Sequence, residues 1–368
     1  MKTLIVSNYY LPGIKGGGPV NSIKNIVERL NGQFDILTKS KDVGEKNKYQ
    51  NVKLNKWNNH ASSRVFYLDN LPFFRINKIL KNGNYDTIYL NSLFSTLSIF
   101  IILLTIFRNS QIILAPRGEL NSSALSMKKV KKIPILIFFK KYFKYKDVKF
   151  HATSKPEKED IQKHFNNNVF IIPNLPSLPI KNVEKSHKVK NKLKIMCVAR
   201  INKMKNIHFA IERINKLQNG EVIFDIYGSF EDLQYKDYCD NIALNSNIKL
   251  NFKGNTSKEL LNQKYKEYDL FFLPSLSENY GHSIIEAIQN HVPVLISDNT
   301  PWKDLYVKKV GFDISLDNKQ EFENCLASLL SYSEEKYNNI FTGFDEFMEK
   351  ELDTDQNVKK YCSLLLDN

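Results

Sequence analysis

The chain has 368 residues, 42% of them hydrophobic, and carries 53 Lys and Arg against 39 Asp and Glu, a formal net charge of +14. That length exceeds what one hydrophobic core usually serves, so two domains are expected, and the charge calls for an anionic partner: nucleic acid, an acidic membrane surface or a phosphorylated ligand. Nucleic acid is set aside because no helix-turn-helix, RNP-like or zinc-finger pattern occurs, and Cys197, Cys239, Cys325 and Cys362 lack the Cys-x-x-Cys spacing of a zinc site. With no signal peptide read ahead of the first strand, a reducing, cytoplasmic setting is expected.

Apolar runs at 3–7, 34–37, 87–90, 111–115, 148–152 and 169–172 read as strands, with helical spacing between them at 20–30, 97–107 and 156–165. This alternation implies an α/β domain, a mostly parallel sheet with helices on both faces. The first strand runs into Tyr9-Tyr-Leu-Pro-Gly13-Ile-Lys-Gly16-Gly17-Gly18-Pro19, directly before a helix. Gly17 and Gly18 allow positive φ and close backbone approach to a ligand, and Pro19 suits the first helical position. The run is neither a Walker loop nor a Rossmann fingerprint in register. It is either a phosphate-facing loop or a flexible connection. The stretch 97–107 is the most apolar, but it falls short of the ~20 residues of a spanning helix, so a buried core helix is expected.

Ala115-Pro-Arg117-Gly-Glu119-Leu follows another strand, where Arg117 and Glu119 either meet an acceptor or pair with each other. Residues 128–149 interleave nine lysines with Phe138, Phe139, Tyr142, Phe143 and Tyr145. On a helix this pattern fits an interfacial membrane element, with the aromatic residues inserted and each lysine worth about 1 kcal/mol near anionic lipid. The alternative is a solvated helix face over a buried apolar stripe. His151 ends a strand, as a site residue or as a satisfied core residue.

The pattern pauses at 173–194, where prolines at 173, 176 and 179 give way to a lysine-rich run. A first domain over 1–175 and a linker at 176–193 are therefore expected. Strands resume at 194–199, 222–227, 249–252, 269–273, 292–296 and 311–314, giving a second domain over 194–350. A last helix reads near 358–366, within 351–368. Two doubly wound domains facing a central cleft would hold ligands at their strand carboxyl ends. At the end of the strand 194–199, Arg200 and Lys205 flank a short loop before a helix. Two cations there suit a departing nucleoside diphosphate, or lie on a solvated loop.

Residues 268–297 read as strand, loop, helix and strand, with Glu278 at the loop and Glu286 on the helix. A loop entering a helix from a parallel strand offers backbone N–H groups at the positive end of the helix dipole, which suits a phosphate. Carboxylates on either side would repel that anion, so accepting hydrogen bonds from hydroxyls is the better role for them. A diphosphate between two polyols, a nucleotide sugar, fits this arrangement.

Glu278-Asn-Tyr-Gly-His-Ser-Ile-Ile-Glu286 resembles the Glu-x7-Glu signature of the retaining glycosyltransferases of family 4, which have the GT-B fold of two Rossmann-like domains. The resemblance implies that Glu286 holds the ribose, that Glu278 lies by the donor sugar, and that the backbone over Asn279, Tyr280, Gly281, His282 and Ser283 meets the phosphates. It further implies that Arg200 and Lys205 bind the diphosphate without a metal or other cofactor, that the loop of Gly17 and Gly18 closes on the phosphates, and that the last helix, within 351–368, crosses back to the first domain. The Ala-Pro-Arg-Gly-Glu-Leu string is similar to members that build bacterial surface polysaccharides such as capsule, O-antigen and lipopolysaccharide, and Asn91, Ser92, Arg117, Glu119 and His151 are expected on the acceptor side. One departure stands out: many members carry a histidine by the donor sugar where this chain has Asn91 and Ser92. Neither residue acts as a general base near neutral pH.

These features together predict a metal-independent hexosyltransferase taking a nucleotide-sugar donor and a glycan acceptor. The acceptor is expected to be lipid-linked, and the protein peripheral at the inner face of the cell membrane through residues 128–149. The rivals are a nucleotide-sugar epimerase of the same fold and a non-catalytic, membrane-docking glycan-binding protein.

Overall fold

The structure, a computed structural model, describes residues 1–367 except 61, 71–72, 107, 127–128, 145, 179–186 and 353, and describes 123, 129 and 131 by backbone only. The chain forms two compact units, Met1–Leu175 with Thr354–Asn368, and Pro176–Asp353. The middle of the expected linker lies outside the described residues.

The first unit runs β1 (Lys2–Val6), α1 (Gly18–Arg29), β2 (Gln33–Lys39), β3 (Trp57–His60), β4 (Ser63–Leu68), α2 (Phe73–Gly83), β5 (Thr87–Asn91), α3 (Thr96–Leu104), β6 (Gln111–Ala115), α4 (Ser122–Ser126), α5 (Lys129–Tyr142), β7 (Val148–Ala152), α6 (Lys155–Gln162) and β8 (Val169–Ile171). Its eight strands lie in the order β3-β4-β2-β1-β5-β6-β7-β8, parallel except for β3 against β4. Leu4, Ile5 and Val6 are fully buried because helices cover both faces of the sheet, which is why the central strands are apolar without alternation. Gly17 caps α1 at φ 59°, Pro19 is its second residue, and Val20, Ile23, Ile26 and Val27 turn one stripe into the core.

The second unit runs β9 (Lys192–Val198), α7 (Ile207–Ile214), β10 (Glu221–Tyr227), α8 (Leu233–Asp240), β11 (Ile248–Gly254), α9 (Lys258–Lys264), β12 (Leu270–Leu273), α10 (His282–Gln289), β13 (Val294–Ser297), β14 (Gly311–Ile314), α11 (Lys319–Ser331), α12 (Glu334–Ile340) and α13 (Phe344–Lys350). Its sheet is wholly parallel, in the order β11-β10-β9-β12-β13-β14. The chain winds outward from β9 to β11 and then restarts on the other side of β9 with β12. The strand order therefore reverses between β9 and β12, as it does in the first unit between β1 and β5. Ligands of open parallel sheets bind at such reversals, outside the strand carboxyl ends.

The last helix, α14 (Thr354–Leu365), belongs to the first unit. It buries Tyr361, Leu364 and Leu365 beside the residues of α1, and Thr3 Oγ1 donates to Leu365 O at 2.7 Å.

Two sequence expectations change here. The strands β3 and β4 were not anticipated: Trp-Asn-Asn-His of β3 is polar and lies at the sheet edge, whereas β4 lies inside the sheet between β3 and β2 with Val65, Phe66, Tyr67 and Leu68 buried. The basic run 128–149 is also not one helix: α5 ends at Tyr142, and Lys149 lies in β7. Phe139 and Phe143 pack in the core at 0% and 4% exposure, so neither is free to insert into a membrane, whereas Val130, Ile137 and Phe138 face outward. Lys128 and Tyr145 lie outside the described residues.

Candidate nucleotide-sugar site

Both loops at the reversal in the second unit carry charged residues that the sequence singles out. Beyond β9, Asn202 caps a single 3-10 turn, Lys203–Lys205, by accepting from the Lys205 N–H, and Asn206 then takes φ 54° to start α7. This tight turn brings the Lys205 ammonium onto Glu278 Oε1, with the two side chains only 16% and 11% exposed. Ser275 Oγ donates to the same oxygen at 2.9 Å, and Leu276 N–H to Met204 O at 2.9 Å, which ties the loop after β12 to the turn after β9. Arg200 takes a different partner, Glu231 Oε1 at 2.8 Å, in an exposed pair. The structure thus holds Lys205 against Glu278 and leaves Arg200 on the outer edge of the same loop.

The loop after β12 enters α10 through Gly281, at φ 76° and ψ 63°, where an added Cβ would lie 2.7 Å from Ile284 Cδ1. Positive φ and this close approach both favour glycine. The first turn of α10, with His282 and Ser283, presents N–H groups that have no carbonyl one turn earlier. Trp302 Nε1 donates to Tyr280 O, and the two rings meet edge-on at 5.2 Å, so the loop is braced from β13's side. Asn279 is exposed. Glu286 lies one turn into α10, almost buried, with the Lys258 ammonium of α9 at 2.8 Å from Oε1.

In the first unit the glycine loop follows β1. The Asp42 carboxylate accepts from the N–H groups of Ile14 at 2.8 Å and Lys15 at 3.0 Å, holding the loop just before Gly17 and Gly18. Across the reversal, the residues beyond β5 and β6 form two networks. Arg117, at φ 56°, donates to Asn91 Oδ1 at 2.6 Å, Asn174 Oδ1 at 2.7 Å and Tyr89 Oη at 2.8 Å. Glu119 accepts from Ser92 Oγ and Leu93 N–H, both at 2.7 Å. Arg117 and Glu119 therefore do not pair with each other. Burial pushes the Glu119 carboxyl above its ordinary range despite those donors.

His151 is fully buried, with Nδ1 2.8 Å from Tyr89 Oη and Nε2 2.8 Å from Ile172 O. Burial, aided by the nearby Arg117, lowers its pKa to about 3, so it is neutral and enclosed rather than open to an acceptor. Lys258, Trp302 and Asp42 have roles that sequence reading missed. Each acts on a partner 22 to 28 residues away, and only the folded arrangement of α9, β13 and the 40–49 segment shows it.

Residues 180–341 match the family model described as glycosyl transferases group 1. A curated relative, the UDP-N-acetylglucosamine–peptide N-acetylglucosaminyltransferase GtfA subunit of Streptococcus pneumoniae serotype 4, is 23% identical over 181 residues, which is 48% of this chain and 32% of that protein. The chain thus spans about a third of the length of that relative. Among solved structures, WaaG, a glycosyltransferase involved in lipopolysaccharide biosynthesis, superimposes with a TM-score of 0.68 at 12% identity, covering 100% of both chains. Anabaena Alr3699/HepE in complex with UDP and glucose superimposes with a TM-score of 0.70 at 16% identity, covering 99% of both. With two Rossmann-like parallel sheets and these structural neighbours, the chain has the GT-B fold.

Proposed function

We propose that the chain is a retaining, metal-independent hexosyltransferase of the family 4 type, moving a sugar from a nucleotide-diphosphate donor to a lipid-linked glycan in the building of a bacterial surface polysaccharide. The observation that carries this reading is the buried Lys205–Glu278 pair at the strand-order reversal, beside the first turn of α10. Lys205 and the α10 N–H groups neutralise the diphosphate, and Arg200 joins them by leaving Glu231. Glu278 and Glu286 accept hydrogen bonds from the donor sugar and the ribose respectively, while Lys258 keeps the Glu286 carboxylate oriented. The acceptor hydroxyl attacks the anomeric carbon on the face from which the diphosphate departs, and the departing phosphate oxygen takes its proton. The complex of Anabaena Alr3699/HepE with UDP-glucose supports a nucleotide-sugar donor, since the same fold holds one there.

The outward apolar residues of α5 and the lysines that follow support peripheral docking on an anionic membrane, at its inner face. Among the described residues, no helix is long and apolar enough to cross a membrane.

Incubation with a panel of nucleotide sugars and glycan acceptors tests the reading. Release of nucleoside diphosphate with a lengthened acceptor, the transferred sugar keeping the anomeric configuration it had in the donor, is the expected result. An isomerised donor would make the protein an epimerase, and donor binding without turnover would make it a glycan-binding protein.

A further inference from the structure

The first unit has a second concave surface that takes no part in the chemistry above. A cavity of about 420 Å³ opens at the amino-terminal ends of β1 and β4, the end of the sheet away from the glycine loop, and is closed on one side by α2. That volume falls in the ~300–1,000 Å³ range of small-molecule sites. Four cations line it, Lys2, Arg64, Arg75 and Lys78, and no carboxylate does.

Two of the cations are fixed from behind by one buried carboxylate. Asp35, 2% exposed, takes Arg64 Nε at 2.8 Å and Nη2 at 2.7 Å, and lies 3.4 Å from Lys2 Nζ. Arg64 lies over the Trp57 ring at 5.0 Å, and Lys2 over Tyr85 at 5.0 Å. This clamp uses one edge of the guanidinium and leaves Nη1 without a partner among the described residues. Arg75 and Lys78, three apart on α2 and exposed, make no ion pair among the described residues. Like charges around one cavity repel one another, and Asp35 offsets only one of the four. An anion bridging them would relieve that repulsion, and an oriented arginine with a nearby lysine is suited to phosphate oxygens.

We propose that this cavity is a binding site for a phosphate monoester on a sugar-sized or lipid-sized group, separate from the nucleotide-sugar site. Arg64 supplies the fixed donor edge, and Arg75 and Lys78 close on the phosphate from α2. A membrane source is compatible with the same helix: Phe73 and Phe74, 45% and 86% exposed, precede Arg75 and stand edge-on to each other. A soluble sugar phosphate would use the same cations without those rings.

The test uses the full chain and reads binding without turnover, so its outcome is independent of the transferase reading. Glucose 6-phosphate is titrated calorimetrically, and vesicles of phosphatidylcholine with and without phosphatidic acid are co-sedimented, for the native chain and for R75A/K78A. Both substitutions are at exposed positions, and an unchanged thermal midpoint verifies folding. The native chain is expected to bind at least one probe, in competition with inorganic phosphate, and the double variant to bind it about tenfold or more weakly. Loss confined to the vesicle arm assigns a lipid headgroup, and loss confined to glucose 6-phosphate assigns a soluble ligand. Absence of binding in both arms, or binding equal in the native chain and R75A/K78A, overturns the proposal.

Discussion

At the scale of single residues, the closest link between sequence and chemistry is Lys205. Its partner Glu278 lies 73 residues away, yet both are almost withdrawn from water, so removing the ammonium strands a buried carboxylate and also takes away the counter-charge proposed for the diphosphate. Lys205→Ala is expected to lower turnover by about 10²-fold or more, by analogy with loss of a preorganised donor at a developing negative charge. Nucleoside diphosphate release measures this. The native chain is expected to keep its rate in excess chelator, because the proposed neutralisation rests on Lys205 and Arg200 rather than on a metal.

His151 makes a different kind of statement, about stability. Its pKa is about 3 in the folded chain against an ordinary 6.5. Between those values the unfolded chain takes up a proton that the folded chain refuses. The histidine's contribution is therefore present in full above pH 6.5 and is lost as pH falls toward 3, at up to about 1.4 kcal/mol per pH unit. Urea unfolding at pH 7, 5.5 and 4 should show this slope in the native chain and a shallower one in His151→Gln. Equal slopes would mean that the histidine ionises in place.

At the scale of elements, the bracing of α10 is the part most open to a clean test. Trp302→Phe keeps a ring against Tyr280 and Phe347 but removes the Nε1–H that holds the Tyr280 carbonyl. A loss of about 1 kcal/mol is expected, with several-fold weaker donor binding, because the loop then orders at the moment the donor arrives. Calorimetric titration of the donor into both proteins decides it.

This bracing also marks how far sequence could be read. Many strands were legible where both faces are covered, as in Leu270–Leu273 and at Ile112, Ile113, Leu114 and Ala115, because burial on two sides favours apolar residues. The edge strand β3 was not, since it has one neighbour and keeps polar residues, and β4 was passed over although it pairs on both sides and buries Val65, Phe66, Tyr67 and Leu68. Glu278, Gly281 and Glu286 stood out through local spacing within one loop and helix. Lys258 did not: a lysine near the start of a helix is commonplace, and only the neighbourhood of α9 and α10 gives it a carboxylate. Arg117 and Glu119 were visible as a pair of charges, but their separate partners depend on which strands flank β6.

For the molecule as a whole, the +14 charge must find a use beyond a single diphosphate. Docking on anionic lipid through α5 and the lysines after it is expected to need acidic vesicles. It should fall in high salt, as the Debye length drops from ~10 Å at 0.1 M to ~3 Å at 1 M. Lys140, Lys141 and Lys144 changed to Glu should weaken co-sedimentation. Full pelleting of that variant, or equal binding to neutral vesicles, would leave the segment as a solvated face.

The helix α14 has a consequence for how this chain is made. It is translated after the whole second unit, yet the hydroxyl of Thr3 and the inner face of α1 belong to its surface. The unit begun first on the ribosome is therefore finished last, and until α14 arrives it carries an uncovered apolar strip over Ile23, Ile26 and Tyr89. Synthesis leaves that strip open for the time needed to add some 180 residues, roughly ten to forty seconds at about 5–20 residues per second. During that interval the nascent chain offers a docking place for a chaperone or for its own unfinished neighbours.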